Sequence, residues 1–161
     1  MDDLYGGIQL NSEQSTWICR GLLDLAAVDG VHDTEEALIR EFYGSSGGDV
    51  ESLEQLAQDG FDLAAAQGVL TGQVRDGFLL SCYMLIYADG QQSELEKERI
   101  AAYAEGLGVT ASELDTLHTQ ARLYLLQMLA VGLRNRDAVS AAGAALGLSG
   151  EQIASIAHRE D

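Results

Sequence analysis

The sequence predicts an all-α protein, and three observations carry that prediction. There is no proline in 161 residues, where average usage would give roughly 8, so nothing breaks a helix from within. Glycine, at 18 residues, is the strong punctuation between periodic stretches. Apolar residues recur at helical spacing, and the pattern that opens near Ser12 returns sixty positions later. Together these describe one domain over 1–161, with about seven or eight helices and an internally duplicated three-helix unit. The pseudo-repeats run over about 12–60 and 72–118, with a degenerate third unit over about 121–158.

The first helix spans about 12–29, with Ile18, Leu22, Leu25 and Ala26 on one face. It stops at Asp29-Gly30, where glycine can take the left-handed turn that ends a helix. A capping box, Asp33 with Glu36, opens the second helix over about 34–43. A glycine-bearing break leads into a third segment over 49–56. The second unit repeats this order. Phe78, Cys82, Leu85 and Ile86 reproduce the first face, and Asp89-Gly90 the stop. Ser93 with Glu96 forms the next capping box, for a helix over 94–105, and 110–117 matches 49–56 at a displacement of 61. The third unit repeats only a fragment. Thr110 leading to Glu113 and Leu114 resembles Ser149 leading to Gln152 and Ile153, with staples from Val109 to Leu114 and from Leu148 to Ile153. No glycine falls between Thr110 and Val131, so the helix from about 111 runs long, and the Leu-dense 121–133 stretch is expected to be central. Nothing reads as a strand.

Hydrophobic residues make up 47% and charged residues 22%, a globular rather than a disordered composition. The charge is lopsided: 26 Asp and Glu against 9 Lys and Arg give a formal charge of -17. Such a field repels phosphate backbones and anionic lipid heads, which argues against nucleic-acid and membrane-surface binding. It suits cations, basic protein partners or solubility. The N-terminus is acidic and lacks an apolar leader, and the stretches over 79–88 and 124–132 are too short to span a bilayer. Cys19 and Cys82 sit inside apolar helical patterns without metal-like spacing, so both read as small buried hydrophobes in a reducing cytoplasm.

One constellation carries candidate chemistry. Asp-Gly-x5-Glu occurs twice, as Asp29-Gly30 to Glu36 and as Asp89-Gly90 to Glu96. It matches the back half of a calcium-binding EF-hand loop. The front half would fall on Leu25 and Ala27, or on Leu85 and Tyr87, none of which can ligate calcium through a side chain, so an EF-hand is rejected. Two readings of the acids remain. In one, the aspartates make Asx-turns and the glutamates close capping boxes. In the other, Asp29, Glu36, Asp89 and Glu96 converge on a divalent cation (calcium, zinc or magnesium), with Asp33 and His32 as helpers.

These same residues carry a resemblance. An apolar helix ending in Ala88-Asp89-Gly90, then Ser93-Glu94-Leu95-Glu96, then Gly106-Leu107-Gly108-Val109-Thr110, resembles the TerB-like (tellurite-resistance TerB) family. Val28-Asp29-Gly30 through Asp33-Thr34-Glu35-Glu36 is a weaker copy, and the resemblance covers about 12–156. It implies a duplicated all-helical fold, a bacterial cytoplasmic setting and a non-enzymatic role in metal or tellurite stress. It also implies membrane-associated TerC-like or calcium-binding TerD-like partners, with the family's acidic positions falling on Asp29, Glu36, Asp89 and Glu96. The alternative is an acidic helical protein–protein interaction module whose carboxylates are purely structural.

Other signals are weaker. His118 and His158 have no partner at ligand spacing, and there is no Glu-x-x-His for a di-iron bundle. No nucleophile elbow or phosphate-binding loop is present, so neither a catalytic residue nor an organic cofactor is expected. Arg134 and Arg136 form the one basic cluster and read as partners of the chain's own carboxylates. Trp17, Phe42, Tyr43, Phe78, Tyr83, Tyr87 and Tyr103 fall mostly on core faces, where Asp29 or Asp89 could accept from a buried tyrosine hydroxyl.

Overall fold

The computed structural model describes residues 9–28, 30, 33–87 and 94–132, without the side chains of 33, 34, 50 and 128–132. Among the described residues the regular structure is entirely helical. Seven α-helices follow in order: α1 (Ser12–Ala26), α2 (Asp33–Ser45), α3 (Leu53–Asp59), α4 (Leu63–Ala66), α5 (Gly72–Tyr87), α6 (Glu94–Gly106) and α7 (Ala111–Gly132). A 3-10 turn, Val50–Ser52, precedes α3. The chain divides into two units, Met1–Leu114 and Asp115–Asp161, and α1 to α6 belong to the first.

Local chemistry sets the helix ends. Asn11 closes a capping box on α1: its Oδ1 accepts from the Gln14 N–H at 2.8 Å, and its own N–H donates to Gln14 Oε1 at 3.0 Å. The helix stops at Ala26, short of the expected Asp29, and Gly30 takes the positive φ of 94°. The second helices end alike. Gly47 and Gly108 adopt φ of 89° and 80°. The next N–H in each case reaches back five residues, from Gly48 to the Tyr43 carbonyl and from Val109 to the Ala104 carbonyl, both at 2.8 Å. Each is a Schellman stop, which needs a residue free of the Cβ penalty at the left-handed position.

Thr110 and Glu113 form the expected reciprocal capping box, at 3.2 and 3.1 Å. The matching segment after α2 does otherwise. Ser52 stands where Glu113 stands 61 residues on, and its side chain is too short to reach back to a cap N–H. Ser52 Oγ instead donates to Asp49 Oδ2 at 3.2 Å, and the chain makes a 3-10 turn before α3 begins.

The core of the first unit is built on α1 and α5, which pack on each other, with α2 against both and α6 against both. The predicted faces are the observed ones: Ile18, Leu22, Leu25 and Ala26, like Phe78, Cys82, Leu85 and Ile86, are fully buried. Burial surrounds α5 rather than one stripe of it, from Val74 through Ile86, so this is the central helix of the unit. Phe61, half-buried in the connector after α3, was not expected to pack on the core. Its ring stands 6.1 Å from Trp17, 5.7 Å from Phe78 and 5.1 Å from Tyr103, joining α1, α5 and α6 through edge and tilted contacts. Arg20 fastens this connector, with its guanidinium 4.1 Å over Trp17 and Nε donating to the Gly60 carbonyl at 2.6 Å.

In the second unit, α7 continues unbroken, as the glycine-free stretch predicts, and Leu117, Ala121 and Leu126 are buried on it. The expected third repeat beyond 132, with Arg134, Arg136 and His158, lies outside the described residues. Among the described residues no helix is long and apolar enough to cross a membrane.

Candidate functional site

The candidate acids belong to two helical hairpins, α1 with α2 and α5 with α6. Asp29, Asp89 and His32 lie outside the described residues. Asp33 is the first residue of α2 rather than the residue before it, and its side chain lies outside the described set. That places the third helical position, where a capping-box acid sits, at Glu35 and not at Glu36.

The two glutamates of the sequence motif have different environments. Glu36 is 47% exposed and pairs with Arg40, itself 51% exposed, at 3.0 Å along one helix face. Arg40 Nε also donates to the same oxygen at 3.1 Å. An exposed i,i+4 pair of this kind contributes only about 0.3–0.5 kcal/mol. Glu96 is 2% exposed, at the third residue of α6.

Glu35 is the residue that the sequence motif passed over. It is fully buried at the third residue of α2, so Glu35 and Glu96 share one helical position 61 residues apart. Glu35 precedes Ile39 by four residues and Glu96 precedes Ile100 by four, and both isoleucines are fully buried. The i,i+4 relation places each carboxylate on the core-facing side of its helix. Both glutamates are engaged in polar or electrostatic contacts. Desolvating an ionised carboxylate costs several kcal/mol without such compensation, and the positive end of the helix dipole offsets about 0.3–1 kcal/mol of it. Among the described residues no three His, Cys, Asp or Glu side chains converge as a metal-ligand group.

A second polar cluster ties the hairpins together. Tyr103, buried on α6, donates its hydroxyl to Asp24 Oδ2 on α1, and Arg99 Nη1 reaches the same oxygen at 3.1 Å. The acceptor for this tyrosine is therefore Asp24; Asp29 and Asp89, the acceptors the sequence suggested for buried tyrosines, lie outside the described residues. Burial first, then the hydrogen bond to Asp24, raises the Tyr103 phenol well above its ordinary range, with Arg99 opposing. Cys82 is fully buried nearby in charge terms, and burial followed by the Asp24 charge raises its thiol. Burial alone pushes the Cys19 thiol up to about 12. Neither cysteine is an activated nucleophile.

No protein-family model, curated protein or solved structure matches this chain.

Proposed function

We propose that this chain is a non-enzymatic, TerB-like helical protein of the metal or tellurite stress response, responsive to a divalent cation at its two Asp-Gly hairpins. One observation carries the reading: Glu35 and Glu96, each following an Asp-Gly pair in the sequence, are buried at the same position of the second helix of each hairpin. Oxygen ligands of this type suit calcium, magnesium or manganese, and His32 would add a nitrogen for zinc. Asp29 and Asp89 supply the turn carboxylates, and Glu96 with Glu35 the helix ones. Glu36, paired with Arg40, takes the lesser part. TerC-like or TerD-like proteins, the former membrane-associated, are the partners this reading implies, in a bacterial cytoplasm.

The test is thermal unfolding of chelator-treated protein, with and without excess calcium, magnesium, zinc or manganese. A cation at a hundredfold its Kd adds about 2.7 kcal/mol, or about 5–10 °C in Tm for a chain of this size. The increment should survive in Glu36→Gln and disappear in Glu35→Gln, Glu96→Gln and the Asp29→Asn/Asp89→Asn pair. Because the readout is the metal-dependent increment, a loss of basal stability in the buried variants does not obscure it.

The second reading is an acidic interaction module with structural carboxylates. The surface pairing of Glu36 with Arg40 and the capping role of Glu113 favour it, since both show acids fully employed in the fold. It predicts no metal increment, and association with a basic partner that weakens as salt shortens the Debye length from about 10 Å at 0.1 M to about 3 Å at 1 M.

A further inference from the structure

We draw no further inference here: the strongest candidate, the pair of buried carboxylates Glu35 and Glu96 near the starts of α2 and α6, belongs to the site already described.

Discussion

Replacing Tyr103 by Phe removes one hydroxyl and leaves the ring between Phe61 and Phe78, at 5.1 and 5.7 Å. What is lost is the hydrogen bond to Asp24, a charged acceptor whose side chain is 28% exposed. Hydrogen bonds to charged groups contribute about 1.5–3 kcal/mol. The lower end applies, because Asp24 is partly wet and keeps Arg99 as a donor. A loss of about 1.5–2 kcal/mol corresponds to a fall in Tm of about 3–8 °C for a chain of this size. Trp17, the single tryptophan, packs edge-on to Phe61, so its fluorescence reports unfolding of this cluster directly. The pH dependence supplies a second arm. A phenol near pKa 10 in the unfolded chain and well above it in the folded one keeps its proton longer when folded. Its contribution is fully present below about pH 10 and is lost as pH rises further, at up to about 1.4 kcal/mol per pH unit. Tyr103→Phe lacks that ionisation, so the gap between the two proteins narrows above pH 10. A variant melting within a degree of the parent, or a gap that stays constant through pH 11, would refute the assignment.

Three further outcomes follow from the packing. Gly21→Ala should destabilise although alanine is the better helix former. A Cβ there would stand 2.6 Å from two ring atoms of Phe78, and overpacking costs about 1–3 kcal/mol against about 1 kcal/mol of propensity gained; an unchanged or raised Tm in a chemical or thermal melt counts against the packing. Cys19 and Cys82 should resist an aromatic disulfide reagent at pH 8 in the folded protein and react at once in denaturant, since both are fully buried with raised thiol pKa values. Fast labelling of either in native protein would contradict that burial. Glu36→Gln should shift stability by less than about 0.5 kcal/mol, as befits an exposed i,i+4 pair with Arg40, and a larger change in a urea titration would show that Glu36 does more than pair on the surface.

Much of the fold was legible because helical phase is local information. The faces Ile18-Leu22-Leu25-Ala26 and Phe78-Cys82-Leu85-Ile86, the Thr110–Glu113 cap and the long α7 could all be read from spacing and capping chemistry. The packing of Phe61 could not, because it lies in a connector without periodicity, held against Trp17, Phe78 and Tyr103 by the bonds from Arg20 to Asp59 and Gly60. Asp24 was equally hidden: its partners Arg99 and Tyr103 are 75 and 79 residues away. The candidate site was half legible. Aligning the hairpins on Asp-Gly uses an offset of 60, which matches Glu36 with Glu96. The helices α2 and α6 are instead offset by 61, from their first residues Asp33 and Glu94 to their Schellman glycines Gly47 and Gly108. From Leu25 to Glu35 the chain is one residue shorter than from Leu85 to Glu96, and that slip moves the buried acid from one glutamate to its neighbour. The Glu-x3-Ile spacing before Ile39 and Ile100 is the sequence signal that identifies the buried one.

Burial sets Glu35 and Glu96 apart from the other glutamates at helix starts in this chain. Glu113 caps the start of α7 while fully exposed, and the hydrogen bonds from the Thr110 backbone and side chain hold its carboxyl below the usual range. A capping glutamate therefore functions in this chain without leaving water. Taking a carboxylate out of water carries a desolvation cost, which the polar or electrostatic contacts of Glu35 and Glu96 offset, and the chain bears that cost twice at one helical position. Glu36, adjacent to Glu35 and free of that cost, shows that an acid at the same helix start can stay at the surface. The difference between these neighbours is the physical ground for placing the proposed cation response on Glu35 and Glu96. It is also why the Glu35→Gln and Glu36→Gln pair, one residue apart and alike in charge removed, separates a binding site from a helix cap.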